Sequence, residues 1–93
     1  MNNEKTISFI SDRKHYDIPE SSILYISMNK QDAFIHTSDG SVLKTRMTFA
    51  KIQHTLSANF IRITRGCLVS AMAIHSVGKL ITLSNGESLE YAT

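Results

Sequence analysis

The sequence predicts a mainly β domain with one short helix near residues 49–57. Short apolar segments rich in β-branched residues recur along most of the chain, and polar turn residues separate them. Asp39-Gly40 and Asn85-Gly86 are strong hairpin signals, because glycine accepts a positive φ at little cost. The hydrophobic period changes from about two to about 3.6 residues at a single place, which marks the helix.

The predicted elements follow from these patterns in chain order. The segment 23–28 is almost continuously apolar, which is typical of an interior strand. Phe49, Ile52 and Leu56 stand at i, i+3 and i+7 and form the inward face of the helix, and Thr48 precedes them as a suitable N-cap. The predicted strands are 6–10, 15–18, 23–28, 33–37, 41–46, 60–64, 67–69, 73–77, 80–83 and 88–91.

Length and composition predict one domain over residues 1–93. A chain of 93 residues with 42% hydrophobic content can bury one small core. No apolar run approaches the roughly 20 residues needed to cross a bilayer, so no membrane partner is expected. The polar N-terminus and the single Cys67 favour a cytoplasmic, reducing location. Cys67 is interpreted as a core thiol; the alternative is a reactive thiol near Arg62 and Arg65.

Charge is unevenly distributed although the net charge is only +2. No acidic residue occurs between Ser41 and Gly86. This pattern favours a surface that binds a polyanion. The alternative is that the folded chain places Asp32, Asp39 or Glu87 against these cations. The basic residues of the acid-free interval are Lys44, Arg46, Lys51, Arg62, Arg65 and Lys79.

The chain shows no pattern typical of catalysis or metal binding. There is no glycine-rich phosphate loop, a single cysteine excludes a thiolate zinc cluster, and four histidines are scattered without ligand spacing. We therefore expect no enzyme activity, no cofactor, no metal site and no small-molecule substrate.

The central stretch is Phe60-Ile61-Arg62-Ile63-Thr64-Arg65-Gly66-Cys67-Leu68-Val69-Ser70. Together with the strand 23–28, the Asp39-Gly40 hairpin, the helix and the Asn85-Gly86 turn, it resembles the LytTR family of bacterial DNA-binding domains. The resemblance covers roughly residues 18–91. Family members typically show Phe-x-Arg-Ile-His-Arg-Ser-x-Leu-Val-Asn at the central stretch.

The resemblance implies an elongated stack of small antiparallel sheets with one short helix. Such domains read double-stranded DNA with loops, at direct-repeat promoter sites that two protomers occupy. They usually follow a receiver domain in response regulators of two-component systems. The resemblance thus implies sequence-specific transcription regulation, with a homodimer formed on DNA.

Particular residues take roles from this resemblance. Arg65 matches a basic position near the DNA-facing edge, and the loop with Lys30 and Gln31 matches another DNA-facing segment. Lysine suits phosphate or guanine, and glutamine suits adenine. Arg62 is interpreted either as structural or as a phosphate clamp. Further phosphate contacts are expected from Lys44, Arg46 and Lys79.

The chain departs from the family pattern at several positions. Thr64 replaces histidine, Gly66 replaces serine and Ser70 replaces asparagine. Ala92-Thr93 stands where members continue into a Ser-Arg-type DNA contact, which suggests a truncated or divergent domain. The alternative function is therefore a β-rich protein-interaction module that has lost DNA binding. The two hypotheses differ in whether the central cations share one face of the fold.

Overall fold

Short antiparallel strands make up most of the protein in the computed structural model, which describes residues 5–91. Within that range there are ten strands and one α-helix, α1 (Phe49–Thr55). The strands are β1 (Thr6–Ser11), β2 (Lys14–Pro19), β3 (Ile23–Asn29), β4 (Asp32–Thr37), β5 (Val42–Arg46), β6 (Phe60–Thr64), β7 (Cys67–Ser70), β8 (Ile74–Val77), β9 (Ile81–Leu83) and β10 (Ser88–Leu89).

The described strands form three antiparallel sheets. β1 and β2 are a hairpin, and β8, β9 and β10 form a three-stranded sheet in the order β10-β9-β8. Between them lies a five-stranded sheet in the order β5-β4-β3-β7-β6. β3 is therefore the central strand, and it pairs with β4 on one side and β7 on the other.

The almost continuous apolar run of β3 is explained by packing on both faces of this sheet. Ile26 belongs to a buried cluster that also contains Ile7 of β1 and Ile52 of α1. Tyr25, its neighbour in sequence, belongs to a second cluster that contains Ile81 of β9. Because successive side chains of a strand point to opposite faces, both sets of residues on β3 must be apolar.

The helix lies where the sequence predicts it and ends two residues earlier. The Thr48 hydroxyl accepts a hydrogen bond from the Lys51 amide at 3.2 Å, as expected for an N-cap. The helix ends at Thr55, and the backbone of the C-cap residue Leu56 is extended. Ser57 then donates from its amide and its hydroxyl to the buried carboxylate of Glu20, at 2.9 and 2.7 Å. That contact takes the chain away from the helix axis.

Both predicted hairpin turns are present. Gly40 has a φ of +90° between β4 and β5, and Gly86 has a φ of +94° between β9 and β10. The mainly β fold of small antiparallel sheets with one short helix is confirmed. It measures 38 × 37 × 23 Å. The departure expected at Ala92-Thr93 lies outside the described residues.

Candidate nucleic-acid interface

Five strand ends meet at one end of the five-stranded sheet. Asn29 pairs with Asp32 across β3 and β4, and Asp32 pairs with Arg46 of β5. On the other side Cys67, the first residue of β7, faces Ser27 of β3 and pairs with the end of β6. We call this end the basic edge. Its candidate residues are Lys30, Gln31, Lys44, Arg46, Arg62 and Arg65.

The β3–β4 turn forms the middle of the basic edge. It consists of Lys30 and Gln31, both exposed. Lys30 has a φ of +60°, a left-handed conformation that a residue with a Cβ adopts only at some cost. The turn is tied to β5, because the Gln31 carbonyl accepts from the Met47 amide at 3.2 Å. The Lys30 side chain is thus presented on a backbone that is held in place.

The side chain of Gln31 also contacts β5. Nη2 of Arg46 donates to its Oε1. A guanidinium can only donate hydrogen bonds, so the contact fixes the carboxamide oxygen towards Arg46. The NH₂ group of Gln31 then faces away from Arg46. A glutamine in this orientation offers donors to a partner more readily than the donor–acceptor pair that suits adenine.

One carboxylate lies among these cations. Oδ2 of Asp32 lies 3.8 Å from Nζ of Lys44, and both side chains are partly exposed. The expectation that a carboxylate could fold back against the central cations therefore applies to Asp32. Asp39 instead accepts hydrogen bonds from Thr37 and from the Ser41 amide at the opposite end of the sheet.

The β6–β7 turn forms the outer part of the basic edge. Arg65 is exposed, and Gly66 follows it. The Gly66 carbonyl accepts from the Met28 amide at 2.8 Å, which fixes the turn to β3. A Cβ on Gly66 would lie 3.5 Å from the Met28 oxygen, an ordinary contact. Arg65 therefore projects from a turn whose far side is anchored.

Arg62 folds over this same turn. Its Nε donates to the Thr64 carbonyl at 3.2 Å, and its Nη2 donates to the Arg65 carbonyl at 3.0 Å. The guanidinium carbon lies 4.6 Å from the centre of the Phe49 ring at the start of α1. The side chain is exposed, yet three contacts to the protein set its orientation.

Comparisons with known proteins identify the family of this domain. A family model described as the LytTr DNA-binding domain matches residues 13–92. The chain belongs to the LytTR family of DNA-binding domains. A solved LytTr DNA-binding domain of a response regulator from Bacillus cereus has the same fold, with a TM-score of 0.79 at 15% sequence identity. That alignment covers 94% of this chain and 85% of the other. No curated protein matches this chain.

Two further cations of this LytTR domain occupy different places. Lys79 lies in the turn between β8 and β9, in the three-stranded sheet, which shares no strand with the sheet of the basic edge. Lys51, another cation of the acid-free interval, lines a groove with His15 and Arg46. Its position one turn into α1, next to the inward-facing Ile52, places it on the outer side of the helix.

A polar cluster joins the three-stranded sheet to the opposite half of β3. The Tyr25 hydroxyl donates to Glu87 at 2.9 Å, and Asn85 donates to the other carboxylate oxygen at 2.7 Å. Burial, followed by the Glu87 contact, raises the pKa of Tyr25 to about 12. The hydrogen bonds from Asn85 and Tyr25 lower the pKa of Glu87. Burial lowers the pKa of His36, which stacks on Tyr25. Glu87 thus connects β3 to the three-stranded sheet and does not pair with the central cations.

The Cys67 thiol is partly buried. Burial raises the pKa of Cys67 to about 11, so the thiol is protonated at neutral pH. This supports the interpretation of Cys67 as a core thiol. Among residues 5–91 there is no group of three histidine, cysteine or acidic side chains suited to a metal. No helix of that part of the chain is long and apolar enough to span a membrane.

Proposed function

We propose that this LytTR domain binds double-stranded DNA sequence-specifically through the basic edge, as part of a transcription regulator. Two turns and the end of β5 present its cations on one end of one sheet. This shared location is the observation that carries the proposal, because a polyanion needs several cations within reach of one surface.

The residues of the basic edge divide into two roles. Lys30, Gln31 and Arg65 are exposed on the two turns, beyond the strand ends, and they read base edges in the grooves. Lys44 and Arg46 lie on β5 beside the β3–β4 turn and hold phosphates. Lys79 is a further candidate for phosphate contact, whereas the guanidinium of Arg62 already donates to the backbone of the β6–β7 turn. A phosphate at Lys79 would extend the interface onto the three-stranded sheet.

Two copies bind as a homodimer on direct-repeat promoter sites in this proposal. The family resemblance supports that arrangement. The alternative of a protein-interaction module predicts cations scattered over the surface, whereas five of the candidate cations lie at or next to one sheet end.

Selection from a random duplex library, followed by fluorescence anisotropy, tests the proposal. We expect enrichment of a repeated motif, and binding that weakens steeply as salt rises, because neutralised phosphates release counterions. Arg65→Ala should lose about 1–3 kcal/mol of binding free energy and relax specificity at one base position. Lys5→Ala is the matched control. Lys5 precedes β1, and its carbonyl accepts a hydrogen bond from the Glu20 amide at the opposite end of the fold.

Other outcomes are equally informative. If the selection enriches no motif while folded protein still binds in a salt-dependent way, the domain binds DNA without sequence preference. If Lys5→Ala and Arg65→Ala weaken binding equally, the basic edge is not the interface. Absence of binding at low salt would favour the protein-interaction module.

A further inference from the structure

The strand pairing that leads into the β6–β7 turn is irregular. The register between β6 and β7 shifts between Arg62 and Thr64. Such an irregularity interrupts the regular ladder and leaves backbone groups that need other partners. The turn that follows nevertheless presents Arg65, whose position on the DNA depends on the local backbone.

Arg62 donates two hydrogen bonds to the backbone just beyond this interruption. Its Nε and Nη2 donate to the carbonyls of Thr64 and Arg65, so a single planar group bridges the last residue of β6 and the first residue of the turn. A guanidinium can span two adjacent carbonyls in this way because its donors form a rigid fork. A lysine ammonium keeps the charge and lacks the fork.

Phe49 supports the guanidinium from behind. The Phe49 ring is partly buried against the cluster that contains Ile52, and it begins α1 just after the N-cap Thr48. With the guanidinium carbon 4.6 Å from the ring centre, the stacking limits the rotamers open to Arg62. The helix is thereby connected to the DNA-facing turn through two side chains.

We propose that Arg62 is a positioning residue that holds the β6–β7 turn and thereby orients Arg65 for base contact, with Phe49 as its support. This inference rests on the proposed DNA-binding function. It assigns Arg62 an action through the turn backbone, in contrast to a phosphate clamp, which would act through charge alone.

The charge-preserving variant Arg62→Lys separates these roles. If Arg62 acts through its fork, Arg62→Lys and Arg62→Ala both weaken specific binding about five- to hundred-fold, as loss of the Arg65 contact does. The double variant with Arg65→Ala then binds no worse than Arg65→Ala alone, because both changes remove one contribution. Phe49→Leu, which removes no charge, produces a smaller loss of the same kind.

Amide hydrogen exchange in the DNA-free protein provides a second readout. We expect faster exchange at residues 63–67 in Arg62→Lys, Arg62→Ala and Phe49→Leu, with unchanged exchange in β3 and β4. This measurement does not depend on DNA. If the wild-type protein binds no duplex, the proposed function fails, while exchange at the turn still tests the positioning role.

Several results would overturn the inference. Arg62→Lys that binds like the wild type, while Arg62→Ala is weak, would identify a phosphate contact. Additive losses in the double variant would show that Arg62 and Arg65 act independently. Unchanged exchange at residues 63–67 in both Arg62 variants would show that the turn holds its shape without the guanidinium. If Arg62→Ala does not fold, DNA binding and hydrogen exchange can still be measured in Arg62→Lys and Phe49→Leu.

Discussion

Replacing Asp32 by asparagine should strengthen DNA binding and steepen its salt dependence. Asp32 is the carboxylate of the basic edge, and it lies 3.8 Å from Lys44. Within residues 5–91, Lys30, Arg46 and Arg65 have no such acidic partner. Asp32→Asn removes a charge that repels phosphate and that offsets the positive charge of Lys44. Stability should change little, since an exposed ion pair contributes roughly 0–1 kcal/mol.

The size of the effect follows from counting cations. With three phosphate charges neutralised per domain while Asp32 offsets Lys44, the slope of log K against log salt is about −2.7, and with four neutralised in the variant it is about −3.6. Between about 50 and 200 mM salt, this difference makes the affinity of the variant fall about threefold more than that of the wild type. The gain in affinity should therefore be largest at low salt and shrink as salt rises.

Fluorescence anisotropy with one duplex over a salt series measures both slopes. Asp39→Asn is the matched control, because it makes the same charge change at the opposite end of the sheet and its oxygen can still accept from Thr37 and Ser41. Equal slopes for Asp32→Asn and the wild type would refute the reasoning. An equal gain in Asp39→Asn would place the DNA elsewhere. Weaker binding of Asp32→Asn to one sequence would indicate that Asp32 accepts from a cytosine amino group.

Three further predictions concern single residues. The Gly66→Ser variant should fold normally, because the added Cβ makes only ordinary contacts with Met28. It should bind DNA about two- to tenfold more tightly, because its hydroxyl adds a phosphate hydrogen bond. A large drop in Tm or weaker binding would contradict this. Glu20→Ala should lose about 1–3 kcal/mol of unfolding free energy, measured in urea, because two partly buried donors of Ser57 lose their acceptor. Glu20→Gln should lose less. The pKa of Glu87 is lowered in the folded protein, so its contribution to stability is present above its ordinary pKa of 4.5 and is lost as the pH falls through the folded pKa. The Tm of Glu87→Gln should lack this dependence on acid pH. Identical pH profiles of Tm for the variant and the wild type would exclude the contribution.

Local sequence signals account for most of the secondary structure. The glycines of Asp39-Gly40 and Asn85-Gly86 adopt the positive φ that only glycine reaches cheaply, and both turns lie where predicted. Ile52 and Leu56 are both buried, because residues four apart in a helix lie on the same face. The β3–β4 turn shows where such signals stop, since Lys30 takes a positive φ without being glycine. Its two-residue length and its bond to Met47 hold it there.

The sequence by itself therefore determined the mainly β class, the helix, the hairpins and an acid-free central half rich in cations. The strand order β5-β4-β3-β7-β6 decided which cations share one end of the sheet. It brings the ends of β5 and β6 to the same end as the β3–β4 turn and leaves Lys79 on another sheet. Tertiary structure also paired Lys44 with Asp32 and turned Arg62 onto its own turn. The physical reason is that turn and helix preferences act over a few residues. The neighbours of a charged side chain instead depend on strands that are distant in sequence, and burial of the two apolar clusters brings these strands together.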